Sequence, residues 1–554
     1  MNAGRRLLVA GAALASLAVV APASAGVPGG GAGALIARHP AALRTVAGTA
    51  ACPGRPPVLV PGHGRLQVFA MQYLDDIPAM ASYPSIARYV DCYFRRYVAP
   101  YRDPAVPGLV VFNELTSLAF GVEGSLGLPA RAFATTPAAT APGQRTGQPL
   151  GALGGAIGLV AATHLRQLAY YAATFPGATS AEALGDVSTV AAGGVRVPAD
   201  RVFLALTDTY VRAIWDSFAA AARRYRVAVV VGAVLPVLNG TAACAGNGYR
   251  GWVACPGWRS STSPTDLAAL ADPDLLPGES RVDVAVTPNV ENVALVFGPD
   301  GRLDDLQPKV NLTPIELEIG WSEAPPTTLH AIALRDAAGR TVPGVRLGIA
   351  ISLDAFEHAD RPHPCTDRGS VVACLAAQGV NVLLQPEFND GTPECASWSD
   401  YSTACGPPVW QQLGWMLSSF YDVESGRYPS LRYAVNPFMV GNLYDLTGDG
   451  QSAIFARDDP RATSAAYVGD LRPVDRYPDP VGLAALEGPQ PGFLAVAPWV
   501  LAGRVRDDPA LAPGDPRSLE SCEDGLVPGS GVHTGTCREN GYLVTALVAE
   551  LRLP

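Results

Sequence analysis

RLQVFAMQY, residues 65–73, and GLVVFNEL, residues 108–115, frame the stretch whose reading decides the fold. Both are apolar runs of strand length, rich in β-branched and aromatic residues. Between them Ile86, Tyr89, Tyr93 and Tyr97 recur at three- and four-residue steps, the spacing that stacks side chains on one helix face. The order is strand, helix, strand, the repeating unit of α/β architectures. The second strand ends on Glu114, a carboxylate placed where the strand gives way to a loop.

The same alternation continues outward. Residues 121–200 are rich in Gly, Ala and Thr and read as an insertion with one helix from about Leu159 to Phe175. Phe203, Leu206, Tyr210, Ile214, Phe218 and Tyr225 then mark one face of a long helix, and VAVVVGAVL (227–235) is the next strand. Residues 239–285 read as a second insertion. VENVALVFGPDGRLDDLQPK (290–309) predicts a hairpin, with Pro299-Asp300-Gly301 at the turn and Lys309 at the end of the return strand. VRLGIAISLD (345–354) and NVLLQP (381–386) are buried strands flanking a helix over 370–377, and a further helix is expected over 410–421. Residues 432–457 read as a final pair of strands, and the Pro- and Asp-rich residues beyond 460 read as a small extra subdomain.

Composition bounds the rest. Of 554 residues 48% are hydrophobic and only 16% charged, with 58 Gly and 50 Pro, which suits a globular chain with many turns. A net charge of -10 argues against a nucleic-acid or anionic-membrane partner, which would require a basic face. Arg5 and Arg6, an apolar run from Leu7 to Ala21 and Ala23-Ser24-Ala25 form a secretory signal pattern; the run is short for a membrane anchor, so cleavage and a secreted or extracytoplasmic protein without a stable span are expected. The ten cysteines fit an oxidising compartment. Their sequence proximity suggests Cys52 with Cys92, Cys244 with Cys255, Cys365 with Cys374, Cys395 with Cys405 and Cys522 with Cys537, although spacing alone does not fix connectivity.

Lys and Arg number 40 together, and Lys309 is the only lysine among them. Three chemistry-bearing residues sit at or just beyond predicted strand ends, where open α/β sheets place their sites: Glu114 in VVFNEL, Lys309 in QPKVNL and Ser352 in GIAISLDAF. Glu316 follows Lys309 by seven residues. This order resembles the nitrilase superfamily of carbon-nitrogen hydrolases. In that family a Glu ends a strand in a pattern like VVFPEL, a Lys follows a hairpin in YRKxHL, a second Glu lies about seven residues on, and a Cys sits in GxxxCxD. Here GIAISLD carries Asp354 at the family's aspartate and Ser352 at the nucleophile Cys. The resemblance spans roughly residues 64–460.

The resemblance implies a four-layer α-β-β-α sandwich with insertions and a C-terminal extension. It divides the chain into a signal (1–25), a lead segment (26–63), a carbon-nitrogen hydrolase-like domain (64–460) and the extension (461–554). It implies hydrolysis of a non-peptide C–N bond in a small amide or nitrile, with no cofactor and with a tendency to homo-oligomerise. Glu114 would be general base and acid, Lys309 the cation on the tetrahedral oxyanion with the Leu353 N–H, Ser352 the nucleophile and Glu316 an accessory carboxylate. Lys309 should stay cationic, because nearby carboxylates stabilise an ammonium. A hydroxyl is far less acidic than a thiol, so the alternative is an impaired or inactive homologue that binds an amide, carboxylate or amine in the same pocket.

Weaker signals read as ordinary structure. DLTGDG (445–450) starts like a calcium loop, but Ala456 stands at the twelfth position, where a Glu is required. His358, His363 and Cys365 match no standard zinc spacing. No G-x-S-x-G elbow or phosphate-binding glycine loop occurs.

Overall fold

The chain first lays down β1 (Val58–Val60), β2 (Leu66–Leu74), β3 (Gly108–Val111), β4 (Ala228–Asn239), β5 (Ala254–Pro256), β6 (Val290–Phe297) and β7 (Leu303–Pro308), all in one sheet. The structure, a computed structural model, describes residues 54–136, 151–176, 189–192, 195–275, 279–356, 365, 371–388, 418–444, 446–448, 452–464, 491–497 and 544–553. β2, β3 and β4 run parallel, as strands joined by long crossovers must, and β4, β6 and β7 are antiparallel. The hairpin expected over 290–309 is therefore present, with its tight turn at Gly301 in the left-handed region (φ 78°).

β8 (Leu347–Ile349), β9 (Val382–Leu384) and β10 (Tyr433–Asn436) begin a second sheet and are parallel to one another. The expected final pair of strands over 432–457 is instead four. After β10, β11 (Met439–Leu443) crosses to the first sheet, where Met439 lies beside Tyr73 of β2, and pairs with β12 (Leu446–Gly448). β13 (Ala453–Ala456) then returns antiparallel to β10. β14 (Thr463–Ser464) and β15 (Pro491–Val496) extend the second sheet, and β16 (Thr545–Leu551) inserts between β1 and β2 in the first. Three strands of the region read as an extension thus complete the sheets.

Strand alternation sorts side chains onto two faces. Val68, Ala70, Leu109 and Val111 join Leu347, Ile349, Val382 and Leu384 of the second sheet in a shared apolar core. Phe69, Met71, Tyr73, Val110 and Phe112 point the other way, toward helix Tyr83–Tyr93 and the helical run 199–225. The outer face of the second sheet packs Leu383, Ala434 and Phe455 against Val371–Ala377 and Ser419–Glu424. Each fully buried Val, Leu, Ile or Phe contributes about 1.5–3 kcal/mol, so strands apolar on both faces are the main source of stability.

The helix carrying the tyrosine stripe follows its periodicity: Ser82 caps Tyr83–Tyr93, which runs into a π turn at Phe94–Val98, and Tyr89 and Tyr93 pack on Tyr73. Two other expected helices are broken. The helix around Leu159–Phe175 is two, Gly151–Thr163 and Leu165–Thr174, parted at His164 (φ -105°, ψ 25°), whose Nδ1 lies 2.8 Å from the Val160 carbonyl oxygen. The long helix through Phe203 and Tyr225 is interrupted at Leu206 (φ -87°, ψ 3°) and loosened to a π turn at Trp215–Ala219. Residues 410–417 of the helix expected over 410–421 lie outside the described residues.

Cys244–Cys255 and Cys365–Cys374 are disulfides with Cα separations of 5.7 and 4.7 Å, and Cys92 is also disulfide-bonded. Cys52, Cys395, Cys405, Cys522 and Cys537 lie outside the described residues. Among the described residues no helix is long and apolar enough to cross a membrane.

Candidate active site

The ends of β3, β7, β8 and β9 bring the candidate residues together. Lys309 directly follows β7, and its N–H donates to the Asn292 carbonyl oxygen of β6 at 2.8 Å, so the hairpin ladder itself aims the side chain. The ammonium is buried, 1% exposed, between Glu114 Oε1 at 2.7 Å and Glu316 Oε2 at 2.8 Å. Burial alone would depress its pKa, but the two carboxylates outweigh this and hold it above the ordinary lysine range. Lys309 is a fixed cation.

Glu114 lies beyond β3, just before Leu115, whose φ of 55° marks a sharp turn in the left-handed region. Gly232 of β4 permits that turn to pack closely, since a Cβ there would come within 2.5 Å of the Leu115 N. The Glu114 carboxylate accepts from Lys309, from Asn292 Nδ2 at 2.7 Å and from the Phe388 N–H at 3.1 Å. Its pKa is pushed up to about 8, first by burial, with Lys309 opposing and Glu316 and Glu387 reinforcing.

Glu316 stands third in the short helix Pro314–Ile319 and closes a capping box with Thr313, accepting from the Thr313 N–H at 2.7 Å. The same carboxylate accepts from Lys309 and from Asn292 Nδ2 at 2.6 Å. Helix cap and ammonium ligand are one group. Glu318, its neighbour in sequence, is half-buried rather than buried.

Ser352 follows β8 in the left-handed region, φ 47°, which a non-glycine residue rarely adopts. The strain is held by its N–H donating to the Pro386 carbonyl oxygen at 3.0 Å. Its hydroxyl donates to Glu387 Oε1 at 2.5 Å. Leu353 is the second residue of the turn Ser352–Ala355, where the first N–H groups lack partners inside the turn. Asp354 straps the segment after Lys309: its carboxylate accepts from the Val310 N–H at 3.0 Å and from the Asn311 N–H at 2.7 Å. Burial raises it to about 7 against those donors.

Two residues escaped the sequence reading. Asn292 donates from one amide nitrogen to both Glu114 and Glu316, and its Oδ1 has no partner among the described residues. Glu387, just past β9, is buried and accepts from Ser352 and, at 2.8 Å, from Gln385 Nε2. Gln385 in turn accepts from Ser419, which accepts from Asn436 Nδ2 at 3.2 Å. Glu387 is raised to about 7, chiefly by burial, with Ser352, Lys309 and Gln385 opposing. The signal for it was the one used for Glu114: a carboxylate closing an apolar strand.

One ammonium thus faces three carboxyl groups, Glu114, Glu316 and Glu387, in a buried setting. A small cavity of about 30 Å³ opens among Glu114, Lys309, Glu316, Trp321 and Phe388. A wider groove of about 460 Å³, lined by Arg102, Arg226 and Asp336, lies at the other ends of β2 and β3, away from this cluster. Among the described residues no group of His, Cys, Asp and Glu is arranged to hold a metal ion. His358, His363, Asp445 and Asp449 lie outside those residues.

No family model and no curated protein matches this chain. A mutant of the amidase from Nesterenkonia sp. AN1 in complex with butyramide aligns with a TM-score of 0.32 and 12% identity over 72% of this chain and 85% of that one. The crystal structure of an amidase from Nesterenkonia sp. aligns with a TM-score of 0.32 and 11% identity over 72% of this chain and 84% of that one. Likenesses this loose carry no weight for the chemistry.

Proposed function

We propose that this chain is an exported carbon-nitrogen hydrolase of the nitrilase type that cleaves a small amide or nitrile through Ser352. The observation that carries the reading is the Lys309 ammonium held between Glu114 and Glu316, in the order and spacing of that family's motifs. Two sheets sharing one apolar core, each covered by helices on its other face, support the four-layer α-β-β-α architecture the family uses. The Cys244–Cys255 and Cys365–Cys374 disulfides support export, since such bonds persist in oxidising compartments.

In this reading Ser352 Oγ attacks the substrate carbon. Lys309, with the Leu353 N–H, stabilises the charge that develops on the substrate oxygen or nitrogen, where a preorganised buried cation is most effective. Glu114 protonates the leaving amine and later takes a proton from the hydrolytic water. The single lysine suits this place because an ammonium is a compact point charge that fits between two carboxylates, whereas guanidinium is a broad planar fork.

The test is ammonia or amine release from a panel of small amides and nitriles, with Ser352→Ala alongside. Turnover abolished by the alanine supports the proposal, and turnover unaffected by it removes Ser352 from the chemistry. No turnover across the panel favours the ligand-binding alternative, which the replacement of a thiol by a hydroxyl already motivates.

A further inference from the structure

We infer that Glu387 is the general base that activates Ser352, which divides the proton chemistry between two carboxyl groups: Glu387 serves the nucleophile and Glu114 serves the leaving group. The inference rests on the proposed hydrolase reading and adds to it a residue outside the Glu114–Lys309–Glu316 cluster.

Geometry carries the assignment. The Ser352 hydroxyl donates to Glu387 Oε1 at 2.5 Å, within the reach that proton abstraction requires. Glu114 has no such contact: its described side-chain bonds go to Lys309, Asn292 and the Phe388 N–H. The two carboxyls are nonetheless parts of one site, because Phe388, the residue after Glu387, supplies the N–H that holds Glu114. Glu387 is also held from behind, with Gln385 Nε2 on its second oxygen and a backbone ladder to Pro437 and Met439. Ser352 is held in a left-handed backbone conformation against Pro386, the residue before Glu387. Base and nucleophile are therefore positioned by the same two-residue contact.

Chemistry points the same way. A hydroxyl needs a base where a thiol ionises readily, so a site with serine at this position needs a carboxylate in contact with the oxygen. Burial raises Glu387 toward neutrality, where a carboxylate base is most effective, while Lys309 and Gln385 favour its ionised form and Glu316 opposes it. Burial also raises Glu114 above the ordinary carboxyl range, which suits it to deliver a proton to the leaving nitrogen.

The steps balance. Glu387 takes the Ser352 proton as the Oγ–carbon bond forms and the carbonyl electron pair moves to oxygen. That pair returns as the C–N bond breaks, and the leaving nitrogen takes the Glu114 proton. Water then attacks the acyl carbon and gives its proton to Glu114. The C–Oγ bond breaks and Glu387 returns its proton to Ser352, leaving carboxylic acid, amine and the starting enzyme.

The experiment uses a fluorophosphonate, which forms a P–O bond to an activated serine and expels fluoride without needing amide recognition. Labelling of Ser352 is followed by mass spectrometry in the full-length protein and in Glu387→Gln. Amide turnover is measured in parallel in both, and in Ser352→Cys with and without Glu387→Gln. Loss of the base should slow serine labelling by about 100-fold or more. In the cysteine background the same change should cost less than about tenfold, because the thiolate forms without it. Far-UV circular dichroism and urea unfolding of Glu387→Gln show whether the variant folds. Serine labelling that depends on Glu387 without amide turnover keeps the base assignment and sinks the amidase. Ser352-dependent turnover that survives Glu387→Gln within threefold overturns the base and keeps the amidase. Equal losses in both backgrounds, or no labelling of the unaltered protein, also overturn it.

Discussion

The two sheets contribute two unlike halves to one site. From the larger come Glu114, Asn292 and Lys309, with Glu316 on the helix that follows β7; they form a closed charge cluster in which every carboxylate touches the ammonium or its amide bridge. From the smaller come Ser352, Asp354 and Glu387, where a hydroxyl, backbone N–H groups and side-chain amides are the donors and, among the described residues, no cation is in contact. Glu114 and Glu387 occupy equivalent places, each closing a parallel apolar strand, and both are buried. Their partners differ, and so do their roles. A strand end sets where a carboxyl stands; the donor facing it sets what the carboxyl can do.

The comparison breaks most sharply at Lys309. Replacing it with Met leaves Glu114 and Glu316 sharing a buried space without a cation, and removing one partner of such a pair costs about 3–5 kcal/mol. Urea unfolding at pH 7 should show that loss, and Glu114→Gln in the same chain should recover part of it. A loss below about 1 kcal/mol would mean that the carboxyls are already neutral and that the ammonium holds nothing together.

Acidity sharpens the contrast on the other side. The folded-state pKa values of Glu114, Glu387 and Asp354 all lie above their unfolded values, so the folded chain binds these protons more tightly. Their stabilising contribution is complete below the unfolded carboxyl range and is lost as pH rises through about 7 to 8. Lys309, raised in the folded state, is charged in both states throughout this window and contributes no slope. Between pH 5 and 8 the native protein should lose on the order of 2 kcal/mol relative to Glu387→Gln. A flat difference between the two unfolding curves would show that Glu387 is ionised at both ends of the range.

Asp354 joins the halves, because a residue beyond β8 holds the backbone that follows β7. Asp354→Asn keeps the shape but turns one acceptor oxygen into a donor facing a buried N–H. A cost of about 1–2 kcal/mol is expected in thermal or urea unfolding. Turnover should fall with it, since the Lys309 loop loses its strap. Unchanged stability would show that the two sheets hold their ends of the site independently.

These halves were not equally legible in the sequence. Lys309, Glu114 and Glu316 could be found because two strand ends and a seven-residue spacing are local features. Glu387 could not be tied to Ser352, since the contact spans 35 residues and depends on β8 and β9 pairing in register. Asn292 was hidden for a similar reason, as an amide inside an apolar strand means nothing until Glu114, 178 residues away, is brought beside it. In the fold, the alternation of strands and helices and the hairpin followed from pattern. The crossing of β11 to the larger sheet and the seating of β16 between β1 and β2 did not, because a short buried strand reads the same in either sheet.

The smallest expected effect isolates the strain at Ser352. Ser352→Ala and Ser352→Gly both remove the hydroxyl and leave Glu387 without that donor, so the lost hydrogen bond cancels when the two variants are compared. Only glycine relieves the left-handed backbone, which costs an L-residue roughly 1–2 kcal/mol. Glycine also gains freedom in the unfolded chain, which offsets part of that relief. The glycine variant should therefore be the more stable by about 0.5–1 kcal/mol in urea unfolding. Equal stabilities would mean that the turn relaxes once the hydroxyl is gone, and that the Glu387 contact, rather than the Pro386 hydrogen bond, holds Ser352 in its strained conformation.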